Sequence, residues 1–445
     1  MKYRNLQKSV TGRAFLSALL ICSVSFAAQY PGWTVYNTSN SGLPANRINS
    51  IVIDGNGNKW IGTGDFIVGS KGGLVKFDGA NWIVYDTANS GLPYNFVTSI
   101  AIDSNGNKWI GTGTRGLAKF DGANWAVYNS SNSGLPDNEV NSIAIDGIGN
   151  KWIVAGTFIG EYGGLVKFDG VNWTVYNTSN SRLPSNYAFL IVIDAIGNKW
   201  IGTDSGLAKF DGAGWTVYKT SNSGLPYNWV SSIAIDSSGN KWIGTDGSGL
   251  AKFDGTKWTV YTPFNSGLRS YYVVSIAIDD KGYKWIGTDS GLTKFDGAGW
   301  TVYNTINSGL PDNNVISIRI DGNGNKWIGT YNGGLAVFNE NASIKTKPGS
   351  TPKPLLPLCR NYPNPFKQKT FVTYNVLENG PVSLRIYALD GHLVQTLVNS
   401  RQTAGSHTVA WDGKNDKGIL MGRGVYLYQL ICNGPVVSGK MNFVE

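Results

Sequence analysis

The sequence predicts an all-β chain: a seven-bladed β-propeller closed by a strand from its N-terminal end, followed by a C-terminal Ig-like β-sandwich. Three observations lead there. Tryptophans recur at a near-constant period, short alternating apolar runs lie between clusters of Gly, Asn, Asp and Pro, and no amphipathic helical period is sustained beyond the first thirty residues.

The period comes first. In "NKWIGT" and its near copies, Trp60, Trp109, Trp152, Trp200, Trp242, Trp285 and Trp327 follow one another at steps of 49, 43, 48, 42, 43 and 42 residues. Trp33, Trp82, Trp125, Trp173, Trp215, Trp258 and Trp300 form a second series with the same steps, so fourteen of sixteen tryptophans are architectural. A period of about 40 to 50 residues with β patterning belongs to propeller arrays, not to helical solenoids.

Each unit then divides into four strands. The first copy reads "INSIVID", "NKWIGT", "GLVKFDG" and "WIVYD", with the turn-forming segments "DGNGNK", "GT…GG" and "FDGAN" between them. Four short antiparallel strands make one blade. The three inner strand types occur seven times after Trp33, and so does the outer "WxVY" type, but the first outer copy, Trp33 to Tyr36, precedes the first blade. At the other end, "GLAVFNENASIKTKPGS" (Gly334 to Ser350) runs into a Pro/Lys/Ser segment where an outer strand is due. Pairing Trp33 to Tyr36 beside Gly334 to Phe338 completes blade seven and leaves no open edge at the seam.

Composition and the two ends set the organisation. A hydrophobic share of 41% with 15% charged residues excludes disorder, and 58 Gly with 16 Trp, 22 Tyr and 17 Phe suits turn-rich β structure. Residues 1–27 carry Lys2, Arg4, Lys8 and Arg13, then "AFLSALLICSVSFA", then small residues at Ser25 and Ala27, the pattern of a secretory signal peptide. The apolar run is shorter than the ~20 residues of a transmembrane span, so no transmembrane segment is expected. Lipidation at Cys22 is disfavoured because Ile21 stands where a small residue is needed. The propeller takes residues 28–341, a linker 342–357, and the sandwich 358–445. The net charge of +9 is concentrated at the ends, and residues 29–340 hold 22 basic against 24 acidic side chains. A basic tail on a nearly neutral body is not a nucleic-acid stripe, and no nucleic-acid partner is expected.

Alternating strands and Gly/Asn/Asp turns in the tail spell a small antiparallel sandwich. Cys359 and Cys432 both lie there. In an oxidising exported setting a disulfide between them is the expectation, although spacing alone does not show that they meet.

Two resemblances attach to these residues. "NSIAIDGIGNKWI" (Asn141 to Ile153) and "SIAIDSSGNKWIGTDGSGLAKF" (Ser232 to Phe253) are similar to the propeller repeats in the periplasmic sensor part of two-component regulators. That likeness spans about residues 29–340 and implies a propeller outside the cytoplasm. No spanning helix, kinase or DNA-binding segment follows in this sequence, so signalling by this chain itself is not expected. "NYPNPF" (Asn361 to Phe366), "LRIYALDGHLVQTL" (Leu384 to Leu397), "GSHTVAWDG" (Gly405 to Gly413) and "GVYLYQL" (Gly424 to Leu430) resemble the C-terminal sorting domain of type IX secretion substrates, related to the Ig-like domain of the flagellar hook-capping protein. This second resemblance implies export through the type IX machinery, with release or attachment at the cell surface.

Motifs that could carry chemistry mostly read as turns. "GTGTRG" (Gly111 to Gly116) spells a dinucleotide fingerprint, but no helix follows it and its counterparts are strand connections. "DGNGN" (Asp54 to Asn58) lacks the glycine and closing glutamate of a calcium loop, so Asp54, Asp103, Asp146, Asp194, Asp236, Asp279 and Asp321 are expected to bond turn backbone. No metal and no cofactor are expected. Both histidines, His392 and His407, lie in the tail, which leaves the propeller without an imidazole base. Carboxylate pairs at Asp137 and Glu139, or at Asp65 and Glu161, are what an extracellular polysaccharide lyase or glycoside hydrolase could use. Binding is the stronger expectation. The residue ending each "GLPxNx" segment or its counterpart changes from Arg47 to Phe96, Glu139, Tyr187, Trp229, Tyr272 and Asn314, and the longer insertions Gly64 to Gly73 and Ala155 to Gly164 fall on the same face. Phe96, Tyr187, Tyr227, Trp229 and Tyr272 are therefore the expected ligand contacts, and their chemistry suits a glycan or protein ligand.

Overall fold

The computed structural model describes residues 30–66, 71–157, 162–340, 342, 359–376, 379–432 and 436–444. The signal peptide and almost all of the linker expected from the sequence lie outside these residues. The chain forms two compact units, residues 1–343 and 344–445.

In the first unit, seven four-stranded antiparallel sheets follow one another. The first runs from an inner strand Ile48–Ile53 through Lys59–Thr63 and Gly73–Phe77 to the outer strand Trp82–Tyr85. The seventh contains Val315–Ile320, Lys326–Thr330 and Leu335–Phe338, and its outer strand is Trp33–Tyr36. The register there pairs Trp33 with Phe338 and Tyr36 with Leu335, so the ring closes as the strand count requires. Trp33 is 5% exposed and stacks on Phe338 at 4.4 Å.

What holds blade to blade follows from three residues of each repeat. The aspartate after the inner strand caps its own turn: Asp54 Oδ1 accepts from the Asn56 and Asn58 amides, and Oδ2 accepts from Trp60 Nε1. All seven aspartates receive that indole bond, at 2.9–3.0 Å. The turn role expected of these residues is what the structure shows, with the indole bond added to it. On the far face of each indole lies a lysine from the next blade. Lys108 covers Trp60, Lys151 covers Trp109, and the series continues through Lys199, Lys241, Lys284 and Lys326 to Lys59 over Trp327 across the seam, with ammonium-to-ring distances of 4.5–4.8 Å. A cation over an indole is attracted by the ring quadrupole, and seven repeats make the attraction a continuous belt.

Between the inner strands the packing is a fit of small against branched. A Cβ on Gly62 would come within 2.7 Å of Val97 Cγ1, and Gly111, Gly202, Gly244, Gly287 and Gly329 face Val140, Val230, Val273, Val315 and Ile48 in the same way. The third blade breaks the rule and compensates. Its second strand carries Val154 in place of glycine, the opposing residue of blade four is Ala188, and both are fully buried in one cluster.

The second unit is a sandwich of a three-stranded sheet (Cys359–Tyr362, Thr370–Val376, Gly405–Trp411) and a four-stranded sheet (Leu393–Gln402, Gly380–Ala388, Gly424–Cys432, Val436–Phe443). Trp411, Phe366, Tyr374, Leu384, Leu430 and Met441 fill the space between them. The "NYPNPF" segment bonds the last strand: Phe366 N donates to Asn442 O, and Asn364 Oδ1 accepts from Asn442 N. Cys359 and Cys432 share this core, but as free thiols and not as the expected disulfide. Burial, then the neighbouring Cys432, push the Cys359 thiol up to about 12.

Candidate binding surface at one mouth of the propeller

The antiparallel meander puts the Asp turns at one end of each blade and two other connections at the opposite end: the long segment entering the inner strand, and the link from second to third strand. Backbone hydrogen bonds tie these two together. Gly113 N donates to Phe96 O, Gly156 N to Glu139 O, Asp204 N to Tyr187 O, Asp246 N to Trp229 O and Tyr331 N to Asn314 O. Five of the seven variable residues are thus bonded to the link of their own blade, whereas Tyr272 bridges to Asp246 in the link of the blade before it.

Two arcs of this mouth differ in chemistry. On one, Arg47 pairs with Asp65 at 3.1 Å and lies over Tyr331 of blade seven, Phe66 of blade one and Phe96 of blade two. Phe96 is 3% exposed beneath Phe66, with ring centroids 4.4 Å apart, so it is a packing residue here and not the open contact expected from the sequence. The link of blade one places Arg47 and Phe66 over it. Asp65 is thus committed to Arg47, and its expected partner Glu161 lies outside the described residues.

On the other arc, Trp229 stacks on Phe189 with centroids 5.0 Å apart, and Tyr187 stands edge-on to both. Tyr227 is 43% exposed and flanks the turn at Gly247. Tyr272 is 48% exposed beside Asp246, with which it forms an isolated bridge. The structure thus joins Tyr187 and Trp229 in one cluster and keeps Phe96 apart. It adds Phe189, which sequence reasoning missed because the residue lies inside a scaffold strand. Asn49, Thr98, Asn141 and Ser231 occupy the equivalent position and hydrogen-bond the neighbouring inner strand, whereas Phe189, like Val274 and Ile316, has no polar group for that bond and is the only aromatic among the seven.

Carboxyl groups accompany these rings. Burial, then the nearby Asp137 charge, push Glu139 up to about 7, while Asp137 Oδ1 accepts from the Glu139 amide at 2.8 Å as a turn cap. Burial raises the Tyr187 hydroxyl, with the Glu139 and Asp204 charges adding to the effect, and the Asp204 amide donates to Tyr187 O. Asp246 is raised by burial and by Asp289.

Comparison with known proteins agrees with this architecture. Residues 42–65, 91–114 and 309–332 match the two component regulator propeller family, and residues 368–431 match the FlgD Ig-like domain. The chain carries regulator-type propeller repeats and an FlgD-type Ig-like domain. No curated protein matches it. Among solved structures it is similar to PorZ, a surface component of the type IX secretion system of Porphyromonas gingivalis (17% identity, TM-score 0.55, 93% of this chain and 61% of that one). It is also similar to the extracellular domain of a hybrid two component system of B. thetaiotaomicron (20% identity, TM-score 0.60, 93% and 57%) and to virginiamycin B lyase of Staphylococcus aureus (12% identity, TM-score 0.55, 69% and 99%). At these identities the likeness is one of fold. The chain spans about three-fifths of the length of the first two. Among the described residues no helix is long and apolar enough to cross a membrane.

Proposed function

We propose that this chain is an exported propeller, held at the cell surface or released, that binds a glycan or protein ligand at the mouth carrying Tyr187, Tyr227, Trp229 and Tyr272. Its Ig-like domain serves as the sorting tail that engages the type IX secretion machinery. The observation that supports binding is the contrast between the two ends of the blades. Fourteen repeated tryptophans are used by the framework, whereas Trp229, Tyr227 and Tyr272 are additional aromatics gathered where the repeats diverge. Tyr227 and Tyr272, 43% and 48% exposed, offer the kind of aromatic surface on which chain-like ligands stack. The neighbours support export, since PorZ is a surface component and the regulator domain is extracellular.

The test is to titrate the whole chain calorimetrically with the glycan or protein that a binding screen retains. Replacing Trp229 and Tyr272 together by Ala should lower affinity about thirtyfold, roughly 2 kcal/mol, with the melting temperature nearly unchanged. Retained affinity in that variant, with loss in variants of the Asp turns at the other end, would place the site elsewhere. For sorting, a chain ending near Lys347 should stay in the periplasm of a host with type IX secretion. Normal surface delivery of that shortened chain would contradict the tail's role.

One observation favours a second reading. Glu139, at about 7 beside Asp137, is poised for general acid or base work in an extracellular lyase or hydrolase. New reducing ends or unsaturated products from mixed polysaccharides, abolished by Glu139→Gln, would establish it.

A further inference from the structure

The aromatic arc and the carboxyl groups of the mouth coincide. Tyr187, Phe189 and Trp229 form three mutually packed rings on blades four and five, and Tyr187 senses the charges of both Glu139 from blade three and Asp204 from blade four. Asp204 Oδ1 has no accessible surface and no hydrogen-bond donor among the described residues, an unusual state for a carboxylate oxygen. The next two blades repeat the acid at the same link, as Asp246 and Asp289, and burial, then the Asp289 charge, raise Asp246. On the opposite arc the cation Arg47 is already bound to Asp65 and packed among Phe66, Phe96 and Tyr331. Ring faces carry negative quadrupole density, and carboxylates beside them add full charge, so the arc is arranged to attract a cation. A neutral sugar can hydrogen-bond these carboxylates through its hydroxyls but leaves their charge unneutralised, whereas a cation does both.

Taking the mouth as the ligand site proposed above, we propose that its ligand is an extended basic peptide segment. A lysine or arginine side chain is drawn to the rim of the Tyr187, Phe189 and Trp229 cluster, where Asp204 supplies the charge and Glu139 joins it on losing its proton, and the following cations of the peptide meet Asp246 and Asp289.

The test uses the full chain and calorimetric titration with hexa-lysine, its fully Nε-acetylated analogue, and chitin hexasaccharide with its deacetylated form. Hexa-lysine should bind at least about tenfold more tightly than the acetylated peptide, and Trp229→Ala and Asp204→Asn should each remove about tenfold of that affinity. Asp78→Asn, an acid at the opposite end of blade one, should leave it unchanged. Should Trp229→Ala fail to fold, Asp204→Asn carries the same test, because it keeps the side chain's shape. Equal binding of acetylated and free peptide would overturn the cationic ligand while leaving the mouth as the site, provided Trp229→Ala still weakens both. An equal loss from Asp78→Asn would show diffuse attraction and overturn the proposal. Tighter binding of the deacetylated hexasaccharide than of hexa-lysine would overturn the peptide. No binding of hexa-lysine at all, with a neutral glycan held through Trp229, would overturn this inference and keep the broader reading.

Discussion

At the turn end of the blades the same four residues return: an aspartate, an asparagine in six of seven copies, a tryptophan and a lysine. At the mouth the equivalent positions carry Arg47, Phe96, Glu139, Tyr187, Trp229, Tyr272 and Asn314. Both ends belong to the same strands, so the difference is not one of fold. The repeated set is tied across blade boundaries, each lysine resting on the indole of the blade before it, and a change in one copy is felt by two blades. The mouth residues lie beyond the last paired rungs of their strands. Their side chains are free to change without disturbing the ring, which is why diversity collects there.

That contrast can be broken from its framework side first. Trp33→Ala opens the seam that closes the ring, and large-to-small changes at a buried indole cost about 3–5 kcal/mol, so a chemical denaturation curve should shift by that amount. A shift no larger than that of a mouth variant would remove the seam's special role. Next, Gly202→Val forces a branched side chain against Val230 and should cost about 1–3 kcal/mol through overpacking. Adding Val230→Ala should restore most of the loss, as Val154 and Ala188 already do naturally. If the pair of changes is additive instead, the small-against-branched fit is not what joins the blades.

Two smaller effects concern protons. In Asp54, and likewise in Asp103, Asp146, Asp194, Asp236 and Asp321, burial opposes ionisation, but hydrogen bonds from the turn and from the indole outweigh it and lower the carboxyl below its usual value. A carboxyl lowered on folding stabilises the native state above its unfolded value and loses that contribution as pH falls through the folded one. Six such groups predict a steep loss of stability in acid below about pH 4, shallower in Asp54→Asn. Glu139 has the opposite sign. Its folded value lies near 7, above the unfolded one, so the native state holds the proton more firmly and stability declines as pH rises from about 4.5 towards 7. Melting temperatures of Glu139→Gln across that range should be flatter than those of the parent. An unchanged slope would show that Glu139 is not the group responsible.

The blade count, the four strand types and the closing strand were legible because each leaves a local pattern that repeats, or fails to repeat, in the chain. The lysine over the neighbouring indole was not, since every repeat contains both residues and nothing in one copy says which neighbour is covered. The same holds for Val154, whose meaning depends on Ala188 a blade away. At the mouth, Tyr187 and Trp229 stood out because the position varies. Phe96 was misread because Phe66, which covers it, arrives from the enlarged link of another blade. Phe189 was overlooked because alternation assigned it to the scaffold. Cys359 and Cys432 do reach the same core, which spacing alone did not show.

The Val154 and Ala188 exchange has a consequence for how such a ring can change over generations. Arrays of this kind grow and shrink by copying whole units, and six of the seven boundaries here accept one another's parts. Copying blade four alone would set Ala188 opposite a glycine and leave a gap where a valine is needed. Copying blade three alone would set Val154 against valine or isoleucine and wedge the strands apart. Blades three and four therefore form a matched cassette that must be inherited together, and they are the blades that supply Glu139, Tyr187, Phe189 and Asp204. A packing detail deep in the ring keeps those residues side by side.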